Sequence, residues 1–156
     1  MAINIRAKGA EGEREVVKIL SAIIIQVMRD LNYPPDEIIA AEKSVQRNQN
    51  QTAVGGNDLN NTFGMSFEVK RQEQLAINTW WEQCCIAAAR NNELPVLIWR
   101  QNQKKWQVRT YVWLTVPKGD AWGHKRIVAT FDIDTFKEWF AEWVRGKLEA
   151  GHTVIT

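Results

Sequence analysis

The sequence predicts an α/β fold in which helices flank a β-sheet. Three patterns carry that prediction: a long amphipathic helix at the start, alternating apolar and polar stretches in the middle, and a second amphipathic helix at the end. In the first helix, expected over residues 11–31, Val16, Val17, Leu20, Ile23, Ile24, Val27 and Leu31 recur at helical spacing, and Asn32-Tyr33-Pro34-Pro35 stops it. The 156 residues, 45% hydrophobic and 24% charged, fit one globular domain spanning residues 1–156 with a buried core.

Stepping around that first helix, Glu13 falls near the middle of the apolar stripe, whereas Glu11, Arg14, Glu15, Lys18 and Arg29 fall on the opposite, solvated side. A carboxylate on a buried face costs free energy unless a metal, a cation or hydrogen bonds receive it, which makes Glu13 a functional candidate. The plainer alternative keeps Glu13 in an exposed first turn, where it complements the helix dipole.

The remaining elements follow in order. Ile38-Ile39-Ala40-Ala41 suggests a strand within residues 37–45. Residues 46–52 are polar and without periodicity, which reads as a mobile loop with Lys43 and Arg47 available to phosphates. A hairpin is expected from residues 58–63 and 65–71, turning at Gly64. Thr79-x-x-Glu82 resembles a capping box opening a helix over residues 80–90. Residues 94–100 and 106–114 read as strands joined by the polar turn 101–105. Residues 118–126 read as a glycine-rich basic loop before a short strand at 127–131, with His124 a surface or phosphate-contacting residue rather than a catalytic base. Thr135-x-x-Glu138 opens the last helix, whose Phe136, Trp139, Phe140, Trp143, Val144 and Leu148 form a core face or, as a second reading, a dimer contact.

Composition narrows the function classes. A net charge of +2 and a pI near 8.6 permit nucleic-acid binding but require local clusters of cations to produce it. Eight tryptophans point mainly to core and interface positions, with base stacking a minority role. Adjacent Cys84 and Cys85 suit neither an ordinary disulfide nor a tetrahedral zinc site. The first residues lack the apolar core of a signal peptide, and the apolar run at 22–25 is far too short to cross a bilayer. A soluble, cytoplasmic protein with no membrane partner is the expectation.

The chemistry concentrates between Asp58 and Lys70. In Met65-Ser66-Phe67-Glu68-Val69-Lys70-Arg71, a strand sends Glu68 and Lys70 to one face and Phe67 and Val69 to the other. Asp58, ten residues before Glu68 and just after Gly55-Gly56-Asn57, would bring a second carboxylate alongside if the hairpin forms. Two carboxylates with a lysine suit Mg²⁺ or Mn²⁺ and phosphodiester hydrolysis. The bland alternative is a solvated strand face with an ion pair contributing under about 1 kcal/mol.

These residues carry a family resemblance. Lys8-Gly9-Ala10-Glu11-Gly12-Glu13-Arg14-Glu15 resembles the Lys-Gly-x-x-x-Glu-Arg signature of archaeal-type Holliday-junction resolvases in the PD-(D/E)xK nuclease superfamily. Glu68-Val69-Lys70 matches their central Glu-Val-Lys, and Leu94-Pro95-Val96-Leu97-Ile98 resembles the strand after their second helix. The separation of Asp58 from Glu68 is similar to that in phage junction-resolving enzymes of the same superfamily. The likeness covers about residues 6–113.

The resemblance implies a restriction-endonuclease-like αβββαβ core with a central mixed sheet flanked by helices. It implies Glu13, Asp58, Glu68 and Lys70 as catalytic residues, and Asp58, Glu68, the Val69 carbonyl and Glu13 around Mg²⁺, for which Mn²⁺ can substitute. Arg6, Lys8 and Arg14 would contact DNA phosphates, joined by Lys43, Arg47 and Arg71, with Ser44 as the nearest match to the family's strand-borne serine. A homodimer with two active sites is implied, acting on branched DNA. Asn57 stands where many relatives have proline, and the polar stretch before Asp58 is longer than in the family. The resulting expectation is a metal-dependent nuclease that resolves four-way junctions. Alternatives are a duplex- or flap-cutting nuclease of recombination, repair or packaging, and a non-catalytic DNA-binding module on the same fold.

Overall fold

The computed structural model describes residues 5–49 and 57–154. The first helix, α1 (Ile5–Asp30), buries Val16, Leu20, Ile24 and Val27, so the apolar stripe read from the sequence is the face it packs. Helix α2 (Pro35–Ala41) follows where a strand was expected. Pro34 is its N-cap, Pro35 takes the first helical position, and Asp36 and Glu37 occupy the first turn, a helix start that outweighs the short apolar run Ile38-Ile39. Gln46–Arg47 forms a short strand, β1, antiparallel to β2 (Leu59–Asn60), in place of an all-loop segment.

The main sheet is mixed, with order β3-β4-β5-β6: β3 (Met65–Arg71), β4 (Leu94–Arg100), β5 (Gln107–Lys118) and β6 (Ala121–Asp132). β3 and β4 run parallel, joined over one face by α3 (Ile77–Asn91), and the remaining pairs are antiparallel. β4 is a continuous apolar run because both of its faces are covered. Phe67, Val69, Val96, Ile98 and Val108 pack with α1 and α4 (Ile133–Glu149), while Leu97 and Trp99 meet Trp80 and Cys84 of α3. The sheet is thus flanked by helices on two sides, the arrangement of a restriction-endonuclease-like fold.

The turn that the site needs is present. Asn61, Phe63 and Gly64 have φ of 60°, 56° and 84°, and Met65 N–H donates to the Thr62 carbonyl at 3.2 Å, reversing the chain before β3. The expected hairpin does not form as a ladder: only Leu59–Asn60 of the upstream arm is strand, and it pairs with β1 in a separate two-stranded sheet, so the chain turns back toward β3 without a strand pairing to it.

Residues 118–126 are not a loop. Gly119, at φ 61°, and Asp120 make a two-residue turn, so β5 and β6 run as a hairpin of twelve residues per arm. The helix caps also differ. Ala76 caps α3 without a side-chain bond, and for α4 it is the Asp132 carboxylate that accepts the Thr135 N–H at 2.9 Å. Among the described residues no helix is long and apolar enough to cross a membrane.

Candidate active site

Because β3 is an edge of the main sheet, its outer backbone groups are free of the β4 ladder, and the chain around Asp58 uses them. Asp58 N–H donates to the Phe67 carbonyl at 2.9 Å, and Asp58 Oδ2 accepts the Val69 N–H at 2.6 Å. On its other side the Asp58 carbonyl accepts from Asn48 N–H at 2.8 Å. These bonds fix the Asp58 carboxylate beside Glu68, with only 8% of Asp58 exposed. Asn57, the residue before it, is anchored by Asn48 Nδ2, at 2.9 Å to its carbonyl, and donates to Glu93 Oε1 at 3.2 Å.

Strand alternation sends Glu68 and Lys70 to the same face, where Lys70 Nζ lies 3.1 Å from Glu68 Oε1. From the other side α1 contributes Glu13, 6% exposed, whose Oε2 accepts from Arg47 Nε at 2.5 Å. The short β1–β2 pairing delivers that arginine, because Arg47 sits opposite Leu59, next to Asp58.

Electrostatics reports the crowding. Burial, then the charge of Glu68, holds the Asp58 carboxyl well above the usual carboxylate range; Glu13 adds to the rise, while the Val69 N–H and Lys70 oppose it. Glu13, Glu68 and Lys70 therefore all lie within electrostatic reach of Asp58. Two hard-oxygen carboxylates pressed together in a desolvated corner are a donor set that a divalent cation relieves, so the residues fit such an ion chemically. As the described side chains lie, no group of three or more His, Cys, Asp or Glu is placed to hold a metal. Glu13 and Glu68 are instead turned to Arg47 and Lys70.

The cations read as phosphate contacts fall into two groups. Arg6, Arg14 and Lys43 are exposed. Lys8 is 3.6 Å from Glu73, and Arg71 Nη1 is 3.2 Å from Glu11 and 3.0 Å from Glu15. Glu15 also meets Arg100 at 3.4 Å, so Glu11 and Glu15 are not simply solvated: they tie α1 to the ends of β3 and β4. Gly12 permits the approach, since a Cβ there would stand 3.1 Å from the Cβ of Arg71. Ser44 is buried and donates its hydroxyl to the Ala41 carbonyl at 2.8 Å, away from any surface a phosphate could reach. Gly55 and Gly56, expected to turn the chain before Asp58, lie outside the described residues. Cys84 and Cys85 are free, and burial pushes the Cys84 thiol up.

Sequence reasoning did not find the Arg47–Glu13 pair or the Glu93 anchor. The pair joins residues 34 apart in the chain, and only the pairing of two-residue strands brings them together.

No curated protein and no solved structure matches the chain. A family model described as "Phage putative PDDEXK endonuclease" matches residues 4–153, and the chain therefore belongs to that family within the PD-(D/E)xK nuclease superfamily.

Proposed function

We propose that this chain is a Mg²⁺-dependent, structure-selective DNA endonuclease that resolves four-way junctions as a homodimer. The observation that carries the nuclease chemistry is Asp58 held against Glu68 by the Val69 N–H, with Lys70 3.1 Å from Glu68 on the same face. The family match supports DNA as the substrate. Junction preference is supported by the likeness of residues 8–15 to the resolvase signature, together with exposed Arg6 and Arg14 on α1, which carries Glu13, and exposed Lys43 in the turn before β1.

Asp58 and Glu68 would hold the metal, with the Val69 carbonyl and Glu13 completing the set. A bound Mg²⁺ or Mn²⁺ supplies positive charge to the scissile phosphate and acidifies a nearby water. Lys70, which pairs with Glu68 at 3.1 Å, would orient the attacking water and stabilise the hydroxide formed as its proton leaves to solvent. Attack in line with the leaving 3′ oxygen gives 5′-phosphate and 3′-hydroxyl ends. Arg47 faces the same corner, so a phosphate entering there would compete with Glu13 for its guanidinium. A two-fold dimer would present two such sites to the two equivalent strands of a junction.

The test is cleavage of four-way junction, flap, nicked and linear duplex DNA in Mg²⁺, with gel filtration of the protein. Preferential, paired cutting of the junction by a dimer supports the reading. Equal cutting of linear duplex rejects junction selectivity, and no cutting of any DNA in either Mg²⁺ or Mn²⁺ removes the enzyme.

A further inference from the structure

β5 outruns its neighbour. β4 pairs with β5 only over Val96–Trp99 and Thr110–Gln107, so from Tyr111↔Val128 to Lys118↔Ala121 the hairpin has no third strand. From 113 to 126 every residue is exposed except half-buried Val116 and Gly123. Trp113 is 58% and Trp122 73% exposed, and neither serves a core there. A two-stranded ribbon is marginally stable in water, and large apolar side chains left outside mark a contact surface.

Charge decides what the surface meets. Residues 113–126 carry Lys118, Lys125 and Arg126 against the single acid Asp120, a net +2 that equals the formal charge of the whole chain. The remainder of the molecule is electrically balanced, so its excess positive charge sits on this arm. The register divides the side chains. Trp113, Arg126, His124 and Trp122 share one face with Tyr111, over whose ring the Arg126 guanidinium lies at 4.2 Å; Lys118 and Lys125 share the other with Leu114. Cations on both faces suit a ribbon lying between two walls of phosphate, and the major groove of DNA admits a two-stranded ribbon. A second copy of the chain would set one positive ribbon against another.

We infer that the β5–β6 ribbon is a DNA-binding arm that seats in a groove of the duplex away from the cut. The Trp122 face is also the face of Glu68, since Glu68 pairs with Leu97, Leu97 with Arg109, and Trp113 and Pro117 follow Arg109 at even spacing. Pro117, opposite Trp122, lies eight residues beyond Arg109 in β5, about 26 Å along the strand. The arm therefore grips DNA without touching the reacting phosphate. DNA as the ligand follows from the nuclease reading, on which this inference rests.

The experiment is fluorescence anisotropy of a linear duplex and of a four-way junction, without divalent metal and across a salt series. It compares the wild type with Trp122→Ala/Lys118→Gln/Lys125→Gln and with Lys118→Gln/Lys125→Gln alone, which keeps the tryptophans and guards against misfolding. The triple variant is expected to bind at least about tenfold more weakly, and both variants to lose about 1.8 from the slope of log affinity against log salt. Saturating cleavage rate and mass in solution stay unchanged. Unaltered affinity and slope overturn the arm, as does a fall in mass from dimer to monomer, which would make the ribbon a self-association surface. A chain that cuts no DNA yet loses affinity in the variants would sink the nuclease reading and leave the arm. A chain that cuts but binds unchanged would do the reverse.

Discussion

The β3 edge and the β5–β6 ribbon invert the usual partition of residues in opposite ways. At the edge, carboxylates are inside: Glu13 and Asp58 are nearly fully buried, one against Arg47 and the other against the Val69 N–H. On the ribbon, tryptophans are outside and the strands have no third partner. Buried charge costs free energy even when paired, and exposed aromatic area forgoes the gain of burial. Both inversions are sustained by a scaffold that obeys the ordinary rule, with Phe136 stacked on Phe140 and edge-on to Phe67 in the core between the sheet and α4. Where the core is regular the residues hold the fold, and the two places where the rule is inverted are the places proposed to meet metal and DNA.

Substitutions separate the two regions, and the largest effect belongs to the edge. Asp58→Ala should lower single-turnover cleavage of DNA in Mg²⁺ by about 10²–10³-fold or more, while linear and branched DNA still bind. In the scaffold, Phe136→Ala should cost about 3–5 kcal/mol by urea unfolding, because the ring is fully buried against Phe67, Trp139 and Phe140.

Addition of Mg²⁺ at about one hundred times its dissociation constant should stabilise the wild type by about 2.7 kcal/mol, read as a rise in Tm that Asp58→Ala lacks. In metal-free buffer Asp58→Asn should raise stability by about 1–2 kcal/mol. The amide still accepts the Val69 N–H but removes the negative charge that burial and Glu68 disfavour. The smallest change is Trp122→Ala, within about 0.5 kcal/mol of wild type in the same unfolding measurement, since the residue is 73% exposed. A large loss there would mean that the ribbon is part of the folding unit rather than an arm.

What the sequence made legible was what short-range periodicity encodes. The burial of Glu13 follows from its place on the α1 stripe, the shared face of Glu68 and Lys70 from strand alternation, and the strand at residues 94–100 from its apolar run. What escaped depended on competition or on distance. Ile38-Ile39 reads as strand by composition, but Pro34-Pro35-Asp36-Glu37 starts a helix first. Lys118 through Arg126 read as loop because glycine and charge dominate, although Gly119-Asp120 is sufficient for a tight turn and the rest alternates across a hairpin. Arg47 looked like a free phosphate ligand, and its pairing with Glu13 needed the register of β1 on β2. Thr79 and Thr135 looked like caps, yet the chain begins each helix earlier, at Ile77 and Ile133.

The central claim is that Asp58, Glu68 and Lys70 perform phosphodiester hydrolysis, and Glu68→Ala tests it most directly, with cleavage and DNA binding measured on one four-way junction in Mg²⁺. The account predicts that cleavage is lost while affinity stays within about threefold of the wild type, since the ribbon and the exposed arginines are intact. Cleavage that continues at the wild-type rate would contradict it.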